Sequence, residues 1–238
     1  MFSKSVHIYT IILLFIVTAC GSKTEKKPDS VSEIKTKIKD TIQAKEEIKK
    51  DTIEEEFVLT EDNAIPFFYE YEKNNKENKV KITTRFGSFI IELFDKTPYH
   101  RANFIYLVKK GYFNNTFFHR VVEDFIIQGG NSDNVDTSKK RAKIGSYLLP
   151  PDTKKGYKHH RGVVSVPSSE IDNPHKLASP YEFFIVVQNP GAYHLDGEYT
   201  AFGKVISGMD VVDKINKQEA DKTEWPMQNI AMKAEIVK

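Results

Sequence analysis

The most informative part of the chain reads FFHRVVEDFIIQGG, residues 117–130. Aromatic and branched residues dominate this segment, and such residues are typical of β-strands. We expect two strands, at 117–122 and 125–128, joined by a short turn. A cationic Arg120 between apolar neighbours is costly to remove from water unless a polar group pairs with it. Gln128, on the second of these strands, is a candidate partner.

A second region contains FFIV at 183–186 and LDGEYTAFGKV at 195–205. Taken in order, the motifs F-H-R-V, F-x-x-Q-G-G, F-F-I and L-D-G-x-Y-x-x-F-G-K-V resemble the cyclophilin family of peptidyl-prolyl cis/trans isomerases. The resemblance covers residues 80–238. It implies a mainly β fold, a closed eight-stranded antiparallel barrel capped by two helices. It also implies catalysis of rotation about X-Pro bonds, with no metal or other cofactor.

The residue pattern independently indicates a mostly antiparallel barrel. Apolar and polar residues alternate in several short runs separated by turn signals, which predicts many short strands. Thr97 followed by Pro98 is typical of a helix start, and that helix should stop at Gly111. A second helix is expected at residues 208–217, and an irregular loop at 131–161.

The resemblance assigns roles to individual side chains. Arg120 corresponds to the family's catalytic arginine and Gln128 to the glutamine that helps to hold it. Without the joint order of the motifs, the apolar residues among them would be interpreted as barrel core. The residues expected to form the proline pocket are Phe125, Ile126, Phe184 and Leu195, with Tyr199 at its edge.

At three places the chain departs from the family's usual pattern. Pro167-Ser168 stands where Ala-Asn is usual, and this proline removes a possible backbone donor to the bound peptide. His194 replaces a tryptophan that binds cyclosporin, and Glu182 replaces a glutamine. We expect Ser168, Glu182 and His194 to contact substrate. Glu182 could pair with Arg120, or it could point outward and favour clients with a basic residue beside the proline.

Isomerisation of an X-Pro bond requires no nucleophile, base or metal. Its barrier arises because the amide nitrogen's lone pair is delocalised into the carbonyl group. A donor aimed at the prolyl nitrogen, together with an apolar pocket for the ring, would lower that barrier. The alternative is a non-catalytic module that holds proline peptides in the same groove, or a chaperone. Arg120, Phe125 and Gln128 favour the enzyme, whereas Pro167 and Glu182 favour the binding module.

The N-terminus has the pattern of an export signal. A positive Lys4 precedes an apolar stretch at 8–17, and Thr18-Ala19 comes directly before Cys20. This arrangement resembles the bacterial lipobox, so we expect residues 1–19 to be a lipoprotein signal peptide and Cys20 to be lipidated. The alternative is an ordinary signal peptide with a chance cysteine. Because Cys20 is the only cysteine, no intramolecular disulfide can form.

Three further segments are expected after the signal peptide. Residues 20–56 are rich in charge and lack aromatic residues, which predicts a flexible tether. Residues 57–79 form an N-terminal extension in which Thr60 or Asn63 could cap a short helix. Residues 80–238 form the cyclophilin-like domain. We expect a monomer, lipid-anchored in the bacterial envelope at the outer membrane and facing the periplasm, that acts on proline-containing envelope proteins.

Charge and motif content exclude several other functions. The formal net charge is only +2, with 35 basic and 33 acidic residues, which provides no field suited to nucleic acid. Nucleotide-binding and metalloprotease motifs are absent from the sequence. The loop histidines do not have the spacing of a metal site, and we expect them to be solvated. They are His159, His160, His175 and His194.

Overall fold

The computed structural model describes residues 57–168 and 174–238. The expected signal peptide, the tether and Cys20 lie outside these residues. The described residues contain four α-helices: α1 (Ala64–Asn74), α2 (Pro98–Lys109), α3 (Val135–Ile144) and α4 (Met209–Asn216). They also contain nine strands: β1 (Lys79–Thr84), β2 (Gly87–Leu93), β3 (Phe117–Val122), β4 (Ile126–Asn131), β5 (Val163–Ser165), β6 (Phe183–Val186), β7 (Ala201–Ser207), β8 (Ile230–Ala231) and β9 (Lys233–Val237).

The strands form one antiparallel sheet that nearly closes on itself, in the order β8-β3-β4-β6-β5-β7-β2-β1-β9. Both ends of the sheet come from one segment, because only Met232 separates β8 from β9. At this break the sheet is bridged by backbone bonds from Met232 N to Thr116 O at 2.9 Å and from Asn115 N to Met232 O at 3.0 Å. The expected mainly β barrel is confirmed. Its ninth strand arises because Met232 interrupts the last of the eight expected strands.

Neighbouring residues of the central strands face two different apolar clusters. In β6, Phe183 and Ile185 belong to the barrel core, whereas Phe184 belongs to a second, smaller cluster. In β4, Ile127 faces the core and Ile126 faces the second cluster. Since side chains alternate between the faces of a strand, the second cluster lies on the outer face of the barrel. This outer face carries the candidate site.

The two expected helices are present and pack against the barrel. Helix α2 contacts β7 and β9, and α4 contacts β2, β3 and β4. Pro98 is the first residue of α2, where its missing N–H costs no helical bond. Thr97 occupies the N-cap position, but its hydroxyl donates backward to Phe94 O at 3.3 Å instead of capping the helix.

The prediction of an irregular loop at 131–161 was wrong, because this region contains helix α3. Asn134 Oδ1 caps the helix by accepting from Asp136 N at 2.9 Å. Gly145 follows the helix with a φ of 133°, and a Cβ there would lie 1.9 Å from Leu59 O. Only glycine therefore allows the chain at Leu59 to approach this closely.

The segment before the barrel contributes to the same core. Leu59 and Phe68 are fully buried, and the Phe68 ring contacts Tyr106 of α2 in a T-shaped arrangement at 5.9 Å. Helix α1 begins after Asn63, whose side chain bonds back to Thr60 N and to Val58 O. None of the helices in the described ranges has the length and apolar character needed to cross a bilayer.

Candidate active site

A β-bulge in β3 sets the direction of Arg120. Phe118 lies opposite Gly129 and Arg120 lies opposite Gln128, so two steps on β3 match one step on β4. His119 is the extra residue. Phe118 remains fully buried in the barrel, and the bulge moves Arg120 to the outer face with Gln128. Because of the bulge, the charged Arg120 lies on the outer face and is not buried in the barrel core, although its neighbours in the sequence are apolar.

The partner of Arg120 is a residue that sequence reasoning missed. Arg120 Nε donates to Glu224 Oε2 at 2.5 Å, in an ion pair that is partly exposed on both sides. Glu224 lies between α4 and β8, far from Arg120 in sequence, and no motif marks it. In the described part of the chain, no bond between side chains joins Arg120 to Gln128, although the two lie opposite each other.

Gln128 instead belongs to a buried polar cluster around Glu182. Its Nε2 donates to Glu182 Oε2 at 2.9 Å. The same carboxylate faces His119 Nε2 at 3.5 Å and Arg141 Nη2 at 3.6 Å. Only 18% of the Glu182 side chain is exposed. Neither of the two expected geometries is found, because Glu182 neither pairs with Arg120 nor points into solvent.

This cluster keeps Glu182 ionised. Burial alone would raise its pKa, but the hydrogen bond and charge of His119, the Gln128 amide and the charge of Arg141 together lower the pKa of Glu182 below its usual value. A buried carboxylate with several donors is a stable acceptor. The side chain of Gln128 is therefore oriented by Glu182.

The expected pocket residues come together beside this polar row. Ile126, Phe184 and Leu195 are buried in the second apolar cluster, and Phe125 and Tyr199 pack against it partly exposed. Across β3, β4 and β6, Arg120 lies opposite Gln128, and Gln128 lies opposite Phe184. Since neighbouring strands are about 5 Å apart, the guanidinium and the apolar pocket share one face of the barrel.

Aromatic contacts shape the rim of the pocket. His194 stacks on Phe125 with ring centroids 5.4 Å apart, and Tyr199 meets Phe184 in a T-shaped contact at 5.6 Å. His194 is exposed, so this contact covers one side of the Phe125 ring. Ser168 lies beside Tyr199 in an adjoining small cleft. One region of the surface thus brings together seven of the residues expected to bind substrate, whereas Glu182 lies in the buried polar cluster.

The prediction that the loop histidines are solvated was wrong for His159, which is only 1% exposed. Its Nδ1 lies 2.8 Å from Asp196 Oδ1, and its Nε2 lies 3.0 Å from Ser165 Oγ. Burial lowers the pKa of His159, although Asp196 opposes this effect. These are the residue types of a hydrolytic triad, but Ser165 is fully buried and its hydroxyl also bonds to Thr200 O at 2.7 Å.

The buried histidine therefore supports the pocket and is not a nucleophile's base. Its ring lies nearly parallel to that of Phe184, with centroids 6.2 Å apart, and Asp196 directly follows the pocket residue Leu195. Sequence reasoning missed this role because Asp196 and Phe184, which His159 contacts, are remote from it along the chain. Among the described residues, no group of His, Cys, Asp and Glu is placed to hold a metal ion.

Comparisons with known proteins agree with this geometry. A model of the family "Cyclophilin type peptidyl-prolyl cis-trans isomerase/CLD" matches residues 79–236. Peptidyl-prolyl cis-trans isomerase-like 2 of Rhizopus delemar is 38% identical over 165 residues, which is 68% of this chain but only 29% of that protein. A peptidyl-prolyl cis-trans isomerase of Acinetobacter baylyi is 36% identical over 140 residues, covering 57% of this chain and 70% of that protein.

A solved structure is similar over nearly its whole length. It is a cyclophilin type peptidyl-prolyl cis-trans isomerase of Cryptosporidium parvum, crystallised in the presence of the dipeptide Ala-Pro. The TM-score is 0.56 at 30% sequence identity, and the match covers 67% of this chain and 99% of that chain. Residues 79–236, which the family model matches, contain strands β1 to β8, the bulge at His119 and the outer-face cluster.

Proposed function

Because the chain belongs to the cyclophilin type peptidyl-prolyl cis-trans isomerase family, we propose that it catalyses cis/trans isomerisation of X-Pro bonds in polypeptides. The observation that carries this proposal is the placement of Arg120 beside the pocket formed by Phe125, Ile126, Phe184 and Leu195. A prolyl ring in that pocket brings its nitrogen to the side of the barrel where the guanidinium lies.

Catalysis follows from the difference between the planar and the twisted amide. In the planar ground state the prolyl nitrogen's lone pair is delocalised and accepts poorly. As the bond twists, the lone pair localises, and the remaining guanidinium N–H groups of Arg120 can donate to it. The apolar walls hold the ring while the acyl side rotates, so that the interaction strengthens only toward the transition state.

The test is a comparison of the isomerase activity of the wild type with Arg120→Ala and Arg120→Lys. We expect Arg120→Ala to lower kcat/KM by about 10²–10³-fold, the range for removing one preorganised donor. Arg120→Lys should restore little of the activity, because an ammonium group lacks the planar fork of N–H donors that a guanidinium presents. Arg85→Ala, which removes an exposed guanidinium from the β1–β2 turn, is the control. Full activity of a folded Arg120→Ala variant would refute the assignment.

A peptide-binding module remains the second candidate function. Pro167 favours it, because its nitrogen cannot donate to a bound peptide and its carbonyl accepts from Ser179 N at 3.0 Å. A wild type that binds X-Pro peptides without accelerating their isomerisation would support this candidate. Loss of peptide binding on changing Phe125 would be expected of either function, so the isomerase activity of the wild type and of the Arg120 variants is what separates them.

We further propose that the mature protein is a lipoprotein of the bacterial cell envelope, anchored through Cys20 and acting on proline-containing envelope polypeptides. The support is the order of Lys4, the apolar stretch and Thr18-Ala19-Cys20. A multiply acylated cysteine anchors stably, because each buried CH₂ contributes about 0.8 kcal/mol. Residues 20–56, as a flexible tether, would separate the domain from the membrane by roughly 30–35 Å. Outer-membrane placement facing the periplasm and a monomeric state complete the proposal.

A further inference from the structure

Arg120 is held by a residue outside the motifs that identify the site. The expected holder, Gln128, is engaged by Glu182 at 2.9 Å. The Nε of Arg120 is instead engaged by Glu224 at 2.5 Å. An arginine side chain has many rotamers, and fixing it costs conformational entropy unless a partner restrains it. Among the described residues, the side chain that supplies this restraint is Glu224.

Glu224 belongs to a turn with its own internal framework, the 221–226 turn. Asp221 Oδ1 accepts from Thr223 N at 2.7 Å and from Trp225 N at 3.1 Å. Asp221 N donates to Trp225 O at 2.8 Å, and Glu224 N donates to Asp221 O at 2.9 Å. These bonds hold Glu224 with a φ of 66°, which is uncommon for a residue with a side chain. The surrounding bonds thus fix a conformation that the residue alone would disfavour.

The 221–226 turn is also docked onto β3 at the bulge. Val121 N donates to Glu224 O at 2.8 Å, so the backbone of Glu224 is tied to the residue after Arg120. The ring of Trp225 lies 5.8 Å from that of His119, the residue before Arg120. Arg120 is therefore flanked on both sides by contacts to one turn. The carboxylate that meets its Nε is held by the backbone as well as by the ion pair.

We propose that Glu224 is a positioning residue for Arg120, orienting the guanidinium toward the proline pocket. The proposal rests on the proposed isomerase function. A carboxylate on Nε leaves the terminal N–H groups free to face the substrate, and a charge-assisted bond is short and directional. The conformational entropy of the Arg120 side chain is then lost before substrate binds, as expected for a preorganised donor.

The same contact has a competing consequence that the test must separate. A carboxylate beside Nε also neutralises part of the guanidinium's field at the prolyl nitrogen. Glu224→Gln keeps an oxygen acceptor for Nε and removes the charge, whereas Glu224→Ala removes both. Gln and Ala both retain a Cβ, so the backbone cost at a φ of 66° is nearly unchanged. The matched control is Glu219→Gln, which removes a carboxylate lining the same surface cleft.

The experiment measures kcat and KM of the full-length chain and its variants on X-Pro peptides, together with hydrogen exchange of the Arg120 Nε–H by NMR. The Nε–H signal is assigned by its absence in Arg120→Lys. We expect Glu224→Ala to lower kcat by about three- to tenfold with little change in KM, the range for releasing one rotamer-rich side chain. Glu224→Gln should keep at least half of the activity, and Glu219→Gln should match the wild type.

The Nε–H exchange should be slow in the wild type and in Glu224→Gln, and fast in Glu224→Ala. Wild-type kcat in Glu224→Ala, or fast exchange in the wild type, would overturn the proposal. Higher activity in both Glu224 variants would also overturn it, since the carboxylate would then lower the rate by neutralising the guanidinium's field. A folded wild type without isomerase activity would refute the proposed function itself, whereas the exchange measurement reports on the Glu224 contact independently.

Discussion

Replacing Glu182 by glutamine tests the buried polar cluster directly. The variant retains the shape of the side chain and an oxygen that can accept from Gln128, but it removes the negative charge facing His119 at 3.5 Å and Arg141 at 3.6 Å. A hydrogen bond to a charged group contributes about 1.5–3 kcal/mol, against about 1 kcal/mol for a neutral one. The loss should therefore be about 1–2 kcal/mol in the free energy of unfolding at neutral pH.

The effect depends on pH in a defined direction. The pKa of Glu182 in the folded protein is lowered, so its ionised form stabilises the fold above the pKa of the unfolded chain, about 4.3. This stabilisation is lost as the pH falls through the lower, folded-state pKa. Glu182→Gln has no such group, and the difference in stability between variant and wild type should shrink as the solution becomes acidic.

Urea unfolding of wild type and variant, followed by tryptophan fluorescence from neutral pH down to about pH 2, measures this difference. At neutral pH the melting temperature should fall by about 2–8 °C, since 1 kcal/mol corresponds to about 2–4 °C in a domain of this size. Glu70→Gln, which removes an exposed carboxylate paired with Lys73, should change stability by less than about 0.5 kcal/mol. A Glu182→Gln variant as stable as wild type, or a difference that persists at acidic pH, would refute the reasoning.

Three further outcomes are expected. Cys20→Ser should abolish lipid incorporation and move the protein from the membrane to the soluble envelope fraction; unchanged fractionation would exclude Cys20 as the anchor. His194→Trp should strengthen inhibition by cyclosporin, measured as the inhibitory concentration in the isomerase assay, because indole adds area and a fixed donor beside Phe125; tight inhibition of the wild type would contradict this. Phe68→Ala should destabilise the protein by about 3–5 kcal/mol in urea unfolding, since the ring is fully buried; a small loss would show that α1 is not part of the cooperative core.

The elements with strong local signals were predictable from the sequence. The aromatic and branched residues at 117–122 predicted β3 with its observed bounds, and the pair Thr97-Pro98 predicted the start of α2. In contrast, α3 reads VDTSKKRAKI, with few apolar residues, and only Thr137 and Ile144 of the helix are buried. Its periodicity is too weak to distinguish from a polar loop. The cap at Asn134 and the glycine at 145 were the available signals.

The apolar part of the candidate site followed from motif order, whereas its polar partners did not. The motifs place Arg120 and Phe184 on strands, because both lie within segments of strong strand character. Glu224 and His159 lie in polar segments whose contacts form only when the barrel closes. The sequence around a charged residue in such a segment does not indicate which residue it pairs with. In addition, the bulge at His119 changes the face of the sheet on which Arg120 lies. The pairing of Gln128 with Glu182 in place of Arg120 has the same tertiary origin.

The segment from Ile230 to Val237 pairs with β3 through its first residues and with β1 through its last, so it joins the two ends of the sheet. Until this segment is in place, β1 and β3 each present an unpaired edge, and exposed edges invite pairing with other chains. Such contacts between distant parts of a sequence also form slowly. The barrel therefore cannot close until Val237 is available to pair with β1. Until then, a newly made copy exposes both strand edges to pairing with other unfolded chains.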